Sequence, residues 1–164
     1  MFRKRVQPGP GQESVWDYPR PPRLEPTTRH VQVVFNSIVI AETHQAMRML
    51  ETSHPPVYYI PPEDIRMEHL TRTPRTTFCE FKGLAAYYTI MVRDQTAANA
   101  AWFYPNPSQT YTPLQDHVAF YPGMMEACYI DGELVQAQPG DFYGGWITSD
   151  IVGPFKGGAG TWGW

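Results

Sequence analysis

Two copies of the tripeptide Phe-Lys-Gly, at 81–83 and 155–157, carry the most specific chemical signal in the sequence. A lysine beside a glycine turn can bind an anion, because glycine leaves backbone N–H groups accessible next to the ammonium group. The same tripeptide also suits a hairpin whose lysine is solvated and whose glycine adopts a positive φ. Lys82 is therefore a candidate ligand-binding residue, with a solvated hairpin charge as the alternative.

The thiol of Cys79, three residues before Lys82, is a second candidate. A thiol forms a thiolate near neutral pH where a cation or a helix N-terminus lowers its pKa. His54 or His117 would supply that cation if the fold brought either close to Cys79; otherwise Cys79 is a small buried hydrophobic residue. We expect Cys79 and Cys128 to be reduced core thiols, with a disulfide between them as the alternative.

His117 begins a short apolar segment that ends at Tyr121. Alternation along a strand would place His117, Ala119 and Tyr121 on one face. A histidine and a tyrosine on a concave face can share protons or bind a polar group of a ligand. The alternative is that His117 caps the backbone at a strand end.

The remaining candidates are polar and aromatic side chains suited to a pocket wall. Ligand pockets are mostly apolar with a few convergent polar groups, and aromatic faces with hydroxyl rims suit a flat ring or a sugar. The candidates are Glu42, Thr43, Tyr58, Tyr59, Tyr87 and Trp102. Alternatively, these tyrosines cover the edges of a small sheet, and Glu42 forms a structural ion pair with Arg66 or Arg93.

Composition and charge exclude several classes of function. The 164 residues suit a single domain with short extensions. A net charge of −3 argues against a nucleic-acid partner, because the phosphate backbone favours a basic face. No apolar run is long enough to span a membrane, and the basic N-terminus is followed by a Pro-Gly repeat instead of the apolar segment of a secretory signal. The sequence lacks Cys-x-x-Cys and His-x-Glu, so we predict no metal and no cofactor.

These candidates would be positioned by a mainly β fold, since 17 prolines and 13 glycines favour short strands and many turns. Hairpin turns are predicted at Asn36-Ser37, Lys82-Gly83 and Asp131-Gly132. Short helices are predicted over Thr43–Glu51 and Pro61–Leu70. Strands are predicted over His30–Phe35, Ile38–Glu42, Val57–Ile60, Thr76–Phe81, Leu84–Arg93, Ala98–Tyr104, His117–Tyr121, Glu126–Ile130 and Leu134–Gln138. Both alternating faces of Leu84–Arg93 are largely apolar, which predicts a strand covered on both sides.

The composition divides the chain into a proline-rich arm (1–29), a central domain (30–138) and a tail rich in glycine and aromatic residues (139–164). Val15, Trp16 and Tyr18 should anchor the arm on the domain. The tail is too apolar to remain in water, so we expect it to wrap around the domain; its large apolar side chains are Phe142, Tyr143, Trp146, Ile147, Ile151, Val152, Phe155, Trp162 and Trp164.

The order and spacing of several motifs resemble the DUF427 family over roughly residues 30–135. The motifs are NSIVIAET at 36–43, HPPVYYIP at 54–61, TFCEFKGLAAY at 77–87, WFYP at 102–105 and HVAFY at 117–121. Both flanks resemble a longer, cyanobacterial-type version, which implies a cytoplasmic location. The resemblance implies a β-tent (Mss4-like) fold, in which bent antiparallel sheets meet over a pocket.

Several other β-tent families hold zinc with two Cys-x-x-Cys motifs, which this chain lacks, so the metal does not carry over. The family has also been labelled nucleotidyltransferase. Carboxylates two residues apart, which such chemistry uses to hold magnesium ions, occur only at Asp131 and Glu133 across a predicted tight turn.

These observations lead to one functional prediction and one alternative. The prediction is a domain that binds a small molecule in an aromatic-lined pocket, and the sequence leaves open whether it is an enzyme. The alternative is a protein-interaction module, such as a homodimer assembled through the arm and the tail.

Overall fold

The computed structural model describes residues 4–140 and 142–164. Within those residues the helical segments are short 3₁₀ turns, at Val15–Asp17, Pro62–Asp64, Met67–His69, Gln109–Leu114 and Pro122–Met124. The strands are β1 (Glu13–Ser14), β2 (Arg23–Pro26), β3 (Val31–Phe35), β4 (Ile38–Thr43), β5 (Met47–Leu50), β6 (Val57–Tyr59), β7 (Leu70–Cys79), β8 (Gly83–Val92), β9 (Gln95–Phe103), β10 (Val118–Phe120), β11 (Ala127–Ile130), β12 (Glu133–Leu134), β13 (Gln136–Ala137), β14 (Trp146–Ile147) and β15 (Ile151–Val152).

Three antiparallel sheets form the body of the protein. Their strand orders are β10-β9-β8-β7, β12-β11-β3-β4 and β2-β5-β6. A bridge between Ile60 and Val118 joins the last strand of the third sheet to β10 of the first. The predicted mainly β, antiparallel fold is confirmed, while the β-tent label stays a prediction.

Two apolar clusters use opposite faces of the sheet β10-β9-β8-β7. The larger cluster lies between this sheet and β12-β11-β3-β4, with Phe103 and Ile130 among its members. The smaller, mostly aromatic cluster lies on the other face and includes Tyr87 and Trp102. The centre of β8 is thus covered on both sides, as its double apolar pattern predicts, although Met91 is exposed.

The predicted two-residue hairpin turns are present at Asn36-Ser37 and Asp131-Gly132. All four residues have positive φ, the conformation that matches the right-handed twist of the flanking strands. The turn at Lys82-Gly83 is longer, because Cys79 pairs with Gly83 and leaves residues 80–82 as the loop.

The predicted helix over Thr43–Glu51 is wrong. Residues Met47–Leu50 form β5, which pairs with β2 from the arm on one side and with β6 on the other. The Thr43 hydroxyl accepts a hydrogen bond from the Gln45 amide at 2.8 Å and closes a tight turn there. Strand partners distant in sequence thus outweigh the helical spacing of the apolar residues.

The predicted helix over Pro61–Leu70 is also wrong in its extent. Two single 3₁₀ turns occupy Pro62–Asp64 and Met67–His69, and Leu70 already pairs with Ile90 as the first residue of β7. Proline and acidic residues near residue 61 start a helical turn, but the chain returns to extended structure at Ile65.

Both chain extensions pack against the body. Val15, Trp16 and Tyr18 are buried in a third cluster with Ile151 of the tail. Trp146 is fully buried, and its indole N–H donates to the Phe120 carbonyl oxygen at 3.1 Å. The expectation that all large tail residues avoid water is wrong for two of them, because Trp162 is 91% exposed and Phe142 is 56% exposed. The described residues contain no helix long and apolar enough to cross a membrane.

Candidate functional site

A cavity of about 420 Å³ lies over the aromatic face of the sheet β10-β9-β8-β7. Its floor and walls include Tyr59, Tyr87, Trp102, Tyr104 and Tyr121. Its rim is formed by the loop after β7, by residues 51–55 and by parts of the tail. The size falls within the range of about 300–1,000 Å³ that is typical of small-molecule sites.

Strand alternation explains why these side chains face the same space. Tyr87 in β8, Trp102 in β9 and Ala119 in β10 lie next to one another across three paired strands. Their sequence neighbours on the same strands point into the larger core instead. The same parity places Val57 and Tyr59 of β6 at the cavity and Tyr58 on the opposite face.

Six of the ten ligand-binding candidates line this cavity: Tyr59, Cys79, Lys82, Tyr87, Trp102 and Tyr121. The other four lie elsewhere, and one of them, Thr43, closes the turn at the end of β4. Tyr58 is buried in the larger core, with its ring 5.2 Å from that of Trp146. Glu42 lies on the sheet β12-β11-β3-β4, where its carboxylate is 2.5 Å from Nε2 of His30 and pairs with neither Arg66 nor Arg93. His117 sits just before β10, with Nδ1 3.2 Å from the Gln115 carbonyl oxygen.

Hydrogen bonds fix the polar edges of the aromatic wall. The Trp102 indole N–H donates to the Tyr59 hydroxyl at 3.3 Å, and Thr77 and Tyr87 share a hydrogen bond of 2.9 Å. The Tyr121 hydroxyl donates to the Phe142 carbonyl oxygen at 3.1 Å. Burial raises the pKa of Tyr59 and of Tyr121 well above the usual range. These hydroxyls are therefore neutral at physiological pH and can act as donors or acceptors.

Charged side chains of both signs lie at the rim, and those in the described part of the chain comprise three cations and two carboxylates. Arg20 pairs with Glu51 at 3.3 Å and donates to the Thr52 carbonyl oxygen at 3.1 Å. Lys156 donates to the Trp164 main-chain oxygen at 3.0 Å and lies 5.6 Å from the Tyr143 ring centre. Lys82 and Glu80 line the cavity without an ion pair or side-chain hydrogen bond to any described residue.

The loop that carries Lys82 is held firmly although it lies at the surface. The Ser108 amide donates to the Lys82 carbonyl oxygen at 3.0 Å, and the Ser108 hydroxyl donates to the Phe81 carbonyl oxygen at 2.6 Å. The Phe81 ring packs against the aromatic cluster. The ammonium group of Lys82 is consequently carried by an ordered main chain at the cavity rim.

The tail closes one side of the cavity by direct packing on the aromatic wall. A Cβ atom on Gly144 would lie 2.2 Å from the Trp102 ring, so only glycine allows the main chain to pass there. The Tyr143 ring meets the His54 ring edge-on at 4.9 Å. The tail therefore contributes wall as well as rim.

Cys79 lines the cavity as a half-buried free thiol, and Cys128 is a buried free thiol in the larger core. Burial lowers the pKa of His54, the one histidine at the cavity, so its imidazole is mainly neutral at physiological pH. A neutral imidazole is not a cation, so His54 does not provide the positive charge that the sequence-based prediction required beside Cys79. In the described part of the chain no group of three or more His, Cys, Asp and Glu side chains is placed to hold a metal ion.

Several cavity residues were outside the sequence prediction: Arg20, Glu51, Phe81, Tyr104, Tyr143 and Trp164. Tyr104 could have been found, because it follows Trp102 at the spacing of one strand face. Phe81, in the loop after β7, follows Cys79 at the same spacing. The others come from the arm, a loop after β5 and the tail, and no periodic signal in the sequence relates those segments to the sheet.

The model of a protein family described as a domain of unknown function, DUF427, matches residues 23–131. That match covers more than half of the chain, so the chain belongs to this family. It runs from β2 to the turn after β11 and contains the aromatic wall of the cavity, whereas the tail lies beyond it. No curated protein matches the chain.

Proposed function

We propose that this DUF427-family protein binds a small molecule that carries a flat ring in the cavity over β7–β10. The observation that carries the proposal is the convergence of Tyr59, Tyr87, Trp102 and Tyr121 from different strands on one space of about 420 Å³. Aromatic side chains that only covered a sheet edge would not need to surround such a space.

The wall combines apolar area with fixed polar groups. The rings of Trp102 and Tyr121 lie 4.6 Å apart and are tilted, so an entering ring meets both faces and edges. Face-to-edge and offset contacts between aromatic rings add about 0.5–1.5 kcal/mol each beyond area burial. The neutral hydroxyls of Tyr59 and Tyr121 can orient a polar substituent of the ligand.

The proposal is tested by a thermal-shift screen against nucleotides, sugars, flavins and aromatic acids and amides. A ligand at a hundredfold excess over its Kd stabilises the folded state by about 2.7 kcal/mol. For a protein of this size that corresponds to a rise in melting temperature of about 5–11 °C. A class of aromatic compounds that raises the melting temperature supports the proposal.

A matched pair of variants then locates the binding site. Val57→Phe adds volume at the cavity wall, whereas Val39→Phe makes the same change on β4, outside this cavity. We expect Val57→Phe alone to abolish binding. Equal binding by both variants would place the ligand elsewhere and refute the proposal.

Self-association is a second candidate, favoured by one apolar patch. Phe78 and Leu84 are direct cross-strand neighbours on β7 and β8, and both are exposed, by 75% and 52%. Sedimentation velocity over a range of protein concentrations tests this candidate. A dimer that is lost in the Phe78→Ser variant supports it, and a monomer throughout rejects it.

A further inference from the structure

We propose that the ligand of this cavity is an aromatic anion, whose acidic group binds the Lys82 ammonium while its ring lies against the aromatic wall. The inference rests on the proposed function and names the chemical class of the ligand. The shared chemistry is a carboxylate or a phosphate attached to a flat ring.

Among the three described cations that line the cavity, Lys82 is the one available to a ligand. Arg20 is engaged by Glu51, and Lys156 is engaged by the main chain of the tail. The Lys82 ammonium has no hydrogen bond, ion pair or ring contact with any residue that the structure describes. It is also only half-buried, so an anion can approach the ammonium group from solvent.

The position of Lys82 is set before any ligand arrives. Ser108 holds the main chain of residues 81 and 82 through two hydrogen bonds. Phe81 ties the same loop to the aromatic cluster. A fixed main chain lowers the entropic cost of binding, because only the lysine side chain has to become ordered.

The aromatic wall by itself would direct an acidic group to the rim. The faces of aromatic rings carry partial negative charge and repel anions, whereas they accept another ring by offset or edge contacts. The ring of an aromatic acid therefore belongs on the wall and its acidic group belongs at the rim. Among the described side chains that line the cavity, three are cations and two are carboxylates, although the whole sequence carries a net charge of −3.

Glu80 provides the internal control for this inference. It lines the same cavity two residues before Lys82, is exposed and has no partner among the described side chains. An anionic ligand is repelled by this carboxylate, so its removal should favour binding of an acid. A neutral ligand should be insensitive to both Glu80 and Lys82.

The experiment compares three probes of the same ring: 2-naphthoate, 2-naphthyl phosphate and 2-naphthamide. Their dissociation constants are measured by ligand-observed NMR or calorimetry on the full chain and on the variants Lys82→Gln, Glu80→Gln and Val57→Phe. Thermal unfolding of each variant checks that it is folded. Both substitutions at residues 80 and 82 leave the main-chain contacts of the loop in place.

We expect at least one acid to bind more tightly than the amide. Lys82→Gln should weaken that acid about tenfold, equal to about 1.4 kcal/mol, and leave the amide unchanged. Glu80→Gln should tighten the acid about twofold, in line with a partly exposed charge. Preference for the naphthoate assigns the site to carboxylates, and preference for the phosphate ester assigns it to phosphates; either result supports the inference.

Two outcomes overturn it, and they are distinguishable. If all three probes bind equally and only Val57→Phe removes binding, the aromatic site stands and the anionic ligand class is wrong. If no probe binds and the wider screen gives no hit, both the ligand class and the proposed function are wrong.

Discussion

Trp146 and Trp162 lie in the same tail but differ completely in environment, which makes them a sharp test of the packing described above. Trp146 is fully buried and its indole N–H is bonded to the Phe120 carbonyl oxygen, whereas Trp162 is 91% exposed. Replacement of each by alanine removes the same atoms. The difference between the two changes in the free energy of unfolding should therefore report the burial of Trp146 together with its hydrogen bond.

The magnitude follows from the area lost at Trp146. A buried tryptophan removes up to about 250 Å² from water, and at about 25 cal/mol per Å² this amounts to about 6 kcal/mol as an upper bound. Partial collapse of the cavity reduces the expected cost to about 3–5 kcal/mol. For this chain length the melting temperature should fall by about 6–20 °C. Trp162→Ala should change the free energy of unfolding by less than about 0.5 kcal/mol.

Urea unfolding followed by far-ultraviolet circular dichroism measures both variants under the same conditions. If Trp146→Ala destabilised the protein no more than Trp162→Ala does, the packing of the tail against the body of the protein would be refuted. Unchanged slopes of the free energy against urea concentration would show that both variants unfold the same cooperative structure.

Three further perturbations test the anchoring of the arm, the cavity histidine and the close approach of the tail to the cavity wall. The Arg48 guanidinium binds the carboxylates of Glu13 and Glu25 in the arm at 2.8 and 2.7 Å. Arg48→Met should lower the free energy of unfolding, measured in urea, by about 1–3 kcal/mol. The cost stays in this range because both carboxylates are partly exposed and can be hydrated once the arginine is gone. Burial lowers the pKa of His54 below its usual 6.5, so the unfolded state binds more protons than the folded state near that pH. The free energy of unfolding should therefore fall as the pH drops through about 6.5. His54→Gln should remove this part of the pH dependence. Gly144→Ala places a methyl group against the Trp102 ring and should lower the melting temperature by displacing the tail.

Each of these predictions has a control. Arg23→Met removes an exposed arginine 3.7 Å from Glu25 and should change the free energy of unfolding by less than about 0.5 kcal/mol. Gly163→Ala adds a methyl group in open space and should leave the melting temperature unchanged. Equal effects of Gly144→Ala and Gly163→Ala would contradict the close approach of the tail to the cavity wall. If the free energy of unfolding of the His54→Gln variant depended on pH as that of the unsubstituted protein does, the lowered pKa of His54 would be contradicted.

Strand alternation predicts some of the side chains that face the cavity, but for others the tertiary structure is required. Alternation relates Trp102 to Tyr104 and Ala119 to Tyr121, and in each pair both members reach the cavity side. The same rule cannot say which of the adjacent Tyr58 and Tyr59 faces the cavity, because both faces of β6 are buried. Glu42 belongs to a different sheet, a fact that no local pattern contains.

The sequence by itself determined the mainly β class, the positions of most strands and the two short turns with positive φ. These features depend on β-branched and aromatic residues and on turn residues such as Asp131-Gly132, whose preferences act over a few neighbouring positions. The Phe-Lys-Gly motif also singled out Lys82, which lies at the cavity; its role in binding stays a prediction.

Only the tertiary structure decided the secondary structure of residues 43–51 and which residues form the cavity rim. Residues 47–50 became a strand because β2, more than twenty residues earlier in the chain, supplies its hydrogen-bonding partner. The rim combines Arg20, Lys82 and Lys156, which lie far apart in the sequence. Pairing and burial between distant segments outweigh local preference, since each contact gains its free energy only when the whole chain is folded.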